Sequence, residues 1–216
     1  SKRDMTGLFG VRTWLSQGYL PEAIINYLML LGWAPKDNRE IFSLNDFIQA
    51  FDQDGVQKAN PVFNSEKLDW FNGQYIRMLS EKELADKILD FYKDKYPKET
   101  VYYLSPLVKS RIRKLVEFEG LAGYVFKRRK PIRITDNFEA HIKSAIDALS
   151  EIYDWNKENI DNALLGKIKE CGFKTGDFFM DLRGAIAGSR VTPPFNESLV
   201  PIGKLETLER LKESLL

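Results

Sequence analysis

The sequence predicts an all-α protein, and three observations predict it. Apolar residues recur three and four positions apart along most of the 216-residue chain. Capping residues stand where these runs begin. No long alternation of apolar and polar residues asks for a sheet, and there is no internal repeat. With 44% apolar residues the chain has the material for cores, and its length suits one large domain or two to three small ones.

The elements follow in order. Gly18-Tyr19-Leu20-Pro21-Glu22 opens a helix, with Pro21 in the first turn where its missing N–H costs nothing. Ala23, Ile24, Tyr27, Leu28 and Leu31 then line one face until Gly32. Ser43 with Asp46 resembles a cap ahead of Phe47, Ile48 and Phe51, and Asn64-Ser65 precedes Leu68, Phe71, Tyr75 and Ile76. Ser80 and Glu83 form a capping box for Leu84, Ile88, Leu89 and Tyr92. Pro106 suits the first turn of a helix through Leu107, Val108, Ile112 and Leu115. Thr135 or Asp136 caps a helix whose inner face is Phe138, Ile142, Ala145, Ile146 and Leu149. Asn156 starts one through Leu164, Leu165 and Ile168 that stops at Gly172, and the stretches 177–187 and 205–215 complete the set. Periodicity lapses near Arg77–Ser80 and Lys130–Thr135, which predicts three helical units over 1–79, 80–134 and 135–216.

Composition excludes several classes of function. No apolar run approaches the roughly 18 residues of a membrane span, and the opening S-K-R-D-M has no apolar signal-peptide core behind it. One cysteine and one histidine cannot build a disulfide framework or a Cys/His zinc site. No glycine-rich phosphate loop is present. The carboxylate pairs Glu81/Glu83 and Asp52/Asp54 read as solvated charge, and His141 as a packing or surface residue. Taken by its residues, the chain is a cytoplasmic, globular, metal-free protein with no complete catalytic apparatus.

A net charge of +1 hides a basic middle. Between 109 and 133 stand Lys109, Arg111, Arg113, Lys114, Lys127, Arg128, Arg129, Lys130 and Arg133, opposed only by Glu117 and Glu119. On the expected helix Lys109, Arg113 and Lys114 cover adjacent parts of the surface and Arg111 points to another face. Tyr102, Tyr103, Phe118, Tyr124 and Phe126 are interleaved with the cations. Single-stranded RNA is held in this way, bases on aromatic or guanidinium planes and phosphates on cations. A solvated helix face, or a patch for an acidic protein partner, fits the same residues.

Three stretches carry a resemblance. Ser1-Lys2-Arg3 is followed by G-Y-L-P-E-A-I-I-N-Y-L-M-L-L-G-W-A-P at 18–35. E-I-F-S-L-N-D-F-I-Q-A-F-D at 40–52 leads to K-L-D-W-F-N-G-Q-Y-I-R at 67–77, and D-L-R-G-A-I-A-G-S-R-V-T-P-P occupies 181–194. In order and spacing they resemble bacterial glutamyl-tRNA synthetase downstream of its catalytic domain. Between about 80 and 175 the likeness rests on the order of helices.

The resemblance implies a helical stem-contact unit at 1–79, touching the inner corner of the tRNA, and two helical anticodon-binding subdomains at 80–134 and 135–216. Ser1-Lys2-Arg3 resembles the end of the class I loop K-[LM]-S-K-[RS], whose second lysine, here Lys2, holds ATP phosphates in the family. The fragment would then have no cofactor and no activity alone, whereas the full-length enzyme would use ATP with Mg2+. Arg111 matches an arginine that reads the third anticodon base, which favours charging of glutamate tRNA only. Arg183, Thr192, Pro193 and Phe195 fall where the family contacts the anticodon loop; the fork of Arg183 suits a base edge or phosphate, and Pro193-Pro194 hold an extended loop. Lys109, Arg113, Lys127, Arg128 and Arg129 are the expected phosphate contacts. The partner implied is glutamate tRNA, bound by a cytoplasmic monomer with no membrane contact. Lys127–Lys130 is more basic than the family pattern, and a helical protein-interaction module with an acidic partner is the alternative.

Overall fold

The computed structural model describes residues 10–58 and 62–216, so Lys2 lies outside the described residues. Among these residues the chain is helical, and the β pairing is confined to one isolated antiparallel bridge between Trp33 and Val56. The all-α expectation holds. Contacts divide the chain into two units between Phe118 and Glu119. The two lapses in periodicity fall on connecting segments, Leu79-Ser80 and the extended stretch 128–134.

The first unit holds α1 (Val11–Ser16), α2 (Pro21–Gly32), α3 (Leu44–Ala50), α4 (Ser65–Met78), α5 (Glu81–Phe91) and α6 (Lys98–Val108). Pro21 is the first residue of α2; the predicted capping box of Ser80 with Glu83 forms at α5, and the cap expected at Ser43 is itself a capping box with Asp46 at α3. Asn64 caps α4 by accepting from Lys67 N. Ile24 and Tyr27 of α2 pack on Leu68 and Phe71 of α4, with Trp14 and Tyr19 completing the cluster. On α5 and α6, Leu84, Ile88, Leu104 and Val108 are fully buried, each worth roughly 1.5–3 kcal/mol of apolar burial.

Two buried amides tie the loops to this frame. Asn26 Oδ1 accepts from Phe42 N at 2.8 Å and from the Tyr75 hydroxyl at 2.7 Å, and its Nδ2 donates to the Glu40 carbonyl at 2.9 Å. Asn72 Oδ1 accepts from Leu20 N at 2.7 Å, and its Nδ2 donates to the carbonyls of Gly18 and Arg113. Leu115 N donates back to the Gly18 carbonyl at 3.1 Å. The chain after α6 is thereby pulled out of helical geometry, because Arg113 and Leu115 give their backbone groups to the motif residues Gly18 and Asn72. This corrects the helix expected from Pro106 to Leu115. Pro97 stands at the N-terminus of α6, and Pro106 sits inside its last turn, where a proline forfeits one hydrogen bond. Lys109, Arg111, Arg113 and Lys114 accordingly lie on a turn.

The second unit begins within α7 (Glu117–Ala122) and runs on through a 3₁₀ turn (Gly123–Val125). It comprises α8 (Phe138–Ser150), α9 (Lys157–Cys171), α10 (Thr175–Ala187), α11 (Phe195–Ile202) and α12 (Lys204–Glu213), with α8 packed against α9, α10 and α12. Asn156 caps α9, and Gly172 ends it in a left-handed conformation. Asp181 of α10 is fully buried. Its Oδ1 accepts from Thr135 N at 2.9 Å and Ile134 N at 3.3 Å; its Oδ2 accepts from Thr135 Oγ1 at 2.6 Å and His141 Nδ1 at 2.7 Å. Ile132 N donates to the Gly184 carbonyl at 3.0 Å, and a Cβ at Gly184 would lie 2.3 Å from the Ile132 carbonyl oxygen. The D-L-R-G motif is thus a rail on which the segment 130–135 lies. Thr135 serves that rail and bonds Asn137 N, while the residue before α8 is Asn137.

Removing the Asn72 amide should strand the Leu20 N–H and the Arg113 carbonyl, while the Gly18 carbonyl keeps its bond from Leu115 N. Asn72→Ala is expected to cost about 1–3 kcal/mol in urea unfolding, against about 1 kcal/mol for the exposed cap variant Ser80→Ala.

Candidate nucleic-acid interface

The basic middle sorts by what each cation touches. Lys114 Nζ lies 3.1 Å from both carboxylate oxygens of Asp69, 3.8 Å from Glu117, and over the Tyr19 ring at 5.4 Å. The Tyr19 hydroxyl also donates to Asp69; burial first, and then that carboxylate, push its pKa well above the usual phenol value. Arg128 faces three carboxylates of α12. Its Nε and Nη2 fork onto Glu206 at 2.8 and 2.6 Å, Nη2 reaches Glu209 at 2.6 Å, and Nη1 bonds Glu213. Glu206 also accepts from Arg210 Nε at 2.7 Å, and the buried Arg210 donates to the Tyr124 carbonyl at 2.6 Å. Arg129 Nη1 and Nη2 bind the carbonyls of Gly120 and Glu119 at 3.0 and 2.6 Å, satisfying acceptors near the end of α7. Arg128 and Arg129, expected to contact phosphates, are therefore engaged inside their own unit, and so is Lys114.

The other cations stand differently. Arg111, Arg113, Lys127, Lys130 and Arg133 are exposed and Lys109 is half-buried. Among the described residues none of the six forms an ion pair. The interleaved aromatics are mostly structural: Phe118 and Tyr124 are fully buried, burial pushes the Tyr124 pKa up to about 12, and the Tyr102 hydroxyl is bound to Asp86. Tyr103 is the exposed ring of the set.

On the second unit, Arg183 lines a groove of about 240 Å³ with Lys157, Asp161, Phe179, Pro194, Phe195, Asn196 and Glu197. Its Nε donates to Thr192 Oγ1 at 3.2 Å, and its guanidinium lies 5.5 Å from the centroid of the Phe195 ring. Thr192 Oγ1 donates in turn to the Pro193 carbonyl at 2.8 Å. Thr192, Pro193 and Phe195 are buried, so they shape the wall that holds Arg183. Lys157 and Phe179 were not singled out on the helices that carry them, and Asn196 went unnoticed because α11 begins directly behind Pro193-Pro194, which read as a loop; Pro194 instead precedes its first turn. His141 and Asp181 are also a node that the sequence reading missed. Among the described residues no group of three or more His, Cys, Asp and Glu side chains could hold a metal ion, and no helix is long and apolar enough to cross a membrane.

Exposed cations on a turn carried by a helical frame fit the class of helical nucleic-acid-binding modules. The family profile described as an anticodon binding domain matches residues 76–215, and that of the class I (E and Q) tRNA synthetase catalytic domain matches residues 1–70. The chain belongs to the anticodon-binding domain family in the form found in glutamate–tRNA ligases. It is 37% identical to the glutamate–tRNA ligase of Clostridium tetani over 92% of this chain and 43% of that protein. For the Thermus thermophilus enzyme the identity is 36%, over 93% of this chain and 45% of that one. The glutamate tRNA ligase of Elizabethkingia meningosepticum, solved in complex with its amino acid, superposes with a TM-score of 0.82 at 27% identity, over 95% of this chain and 42% of its own. The chain thus spans less than half the length of the curated relatives it matches.

The Arg128 cluster has a pH signature. The hydrogen bonds of Arg128, and secondarily Arg210, lower the Glu206 pKa from the usual 4.5 to about 2, against the opposing effect of burial. A depressed carboxylate pKa stabilises the fold above the unfolded value, and that stability fades as pH falls toward the folded one. The Glu206 carboxyl resonance should titrate near pH 2, and in Arg128→Gln its midpoint should move up toward 4.5. A wild-type midpoint at 4.5 would contradict the geometry.

Proposed function

We propose that this chain is the tRNA-recognition part of a glutamate–tRNA ligase, the enzyme that attaches glutamate to tRNA using ATP. The observation that carries the proposal is Arg111: an exposed guanidinium on the turn after α6, with no ion pair among the described residues, in a chain of the anticodon-binding family. A guanidinium left without a carboxylate can fork onto a base edge. Arg111 reads the third anticodon base, and Arg183, held by Thr192 and Phe195 beside Pro193, contacts the loop. Lys109, Arg113 and Lys127 take phosphates, while Arg128 and Arg129 fix the segment that presents Lys127. Phosphate contacts set the register and base contacts the identity.

In this proposal residues 1–79 touch the inner corner of the tRNA, and 80–134 and 135–216 are the anticodon-binding subdomains of a cytoplasmic monomer. Activation of glutamate with ATP and Mg2+ belongs to the catalytic domain of the whole enzyme. Lys2, tied to ATP by resemblance, lies outside the described residues, so no step of activation is placed on the described side chains. The 216 residues alone are expected to show no glutamate-dependent ATP–pyrophosphate exchange; robust exchange would overturn that part.

Glutamate tRNA should bind with an affinity that falls steeply with salt, since each neutralised phosphate releases counterions. Arg111→Ala should lose about 1–3 kcal/mol for the cognate anticodon and flatten discrimination against altered ones. Wild-type binding of every tRNA by Arg111→Ala would remove Arg111 from the interface. An acidic polypeptide that competes with tRNA as an equal would favour the protein-interaction alternative.

A further inference from the structure

We propose that Arg77 and Arg113 form a phosphate seat on the outer face of α4, built over Gly73, that grips the sugar–phosphate chain of the bound RNA. The proposal rests on the reading above that the chain binds tRNA, and it adds a site outside the anticodon-reading residues.

Trp70, Gln74 and Arg77 are four and three residues apart and share one face of α4. Gly73 lies under that face. A Cβ there would sit 3.2 and 3.3 Å from Nη1 and Nη2 of Arg77 and 3.4 Å from Cγ of Arg113. The Arg77 guanidinium therefore rests on bare backbone with the Arg113 stem beside it. Its direction is set by Gln74, whose amide oxygen, turned toward its neighbours, accepts from Arg77 Nη2 at 3.2 Å and from Trp70 Nε1 at 3.1 Å. Both arginines are exposed, and among the described residues neither has an ion pair.

The acids of this region are already used. Asp69 binds Lys114 and Tyr19, and Glu117 Oε2 accepts from Arg113 N at 2.6 Å and Lys114 N at 3.3 Å. Two neighbouring cations without a counter-charge repel each other, and an anion placed against both removes that cost. Guanidinium forks match phosphate oxygens, and such contacts carry no base information.

The test measures binding of the 216-residue chain to glutamate tRNA, and to the same tRNA with an altered anticodon, across a salt series. Arg77→Gln should weaken both RNAs by the same factor and lower the slope of log affinity on log salt by roughly 0.7–0.9, the loss of one phosphate. Gly73→Ala should keep or raise the melting temperature, because alanine favours helix over glycine, yet shift binding in the same direction by displacing Arg77. If wild type binds with a steep salt slope and both variants match it, the seat is refuted and the tRNA reading stands. If wild type shows no salt-dependent binding, the tRNA reading itself falls, and the seat with it.

Discussion

Connecting segments can lie against the cores of this protein only because their backbone groups find partners there. An amide N–H or carbonyl taken out of water without a hydrogen bond costs as much as several buried methylenes repay. Three side chains meet that constraint: Asn26 and Asn72 in the first unit and Asp181 in the second, all fully buried. Asn72 draws in the turn that carries Arg111 and Arg113, and Asp181 fixes the end of the segment that carries Lys127 and Lys130. The placement of exposed cations is thus decided by uncharged amides and one carboxylate well inside.

Once those segments are placed, charge divides by role. Lys114, Arg128 and Arg129 act as rivets between elements, through carboxylates or helix-end carbonyls. Arg111, Arg113 and Lys127 stand on the surface and keep their charge for something else. Neighbours in sequence differ completely here: Arg128 is surrounded by carboxylates while Lys127 beside it has none. A basic run counted in the sequence overstates its free charge: of Lys127–Lys130, Arg128 and Arg129 are bound within their own unit.

Much of the fold was legible because caps and periodicity are local. Ser43, Asn64, Ser80 and Asn156 each sit where the sequence placed them, and each accepts from the backbone N–H three residues on. What escaped was non-local. Pro106 looked like a helix start, and only the pull of Asn72 and Gly18 on residues 113–115 shows why the helix ends at Val108. α11 was hidden by its prolines. The D-L-R-G motif pointed to Arg183, while the partners of Asp181 lie 40 or more residues away and leave no trace in spacing. Family resemblance picked out whole stretches but not the division of labour inside them, where Asn26, Asn72 and Asp181 hold backbone while their neighbours Glu22, Lys67 and Arg77 face solvent.

The carboxylate cluster on α12 has one more consequence. A single guanidinium set against Glu206, Glu209 and Glu213 leaves surplus negative charge, and Arg210 answers only Glu206. Arg128 therefore brings no free positive charge to that surface, although its guanidinium stands in the middle of it. The helix that anchors the basic segment thereby silences its most heavily bonded cation.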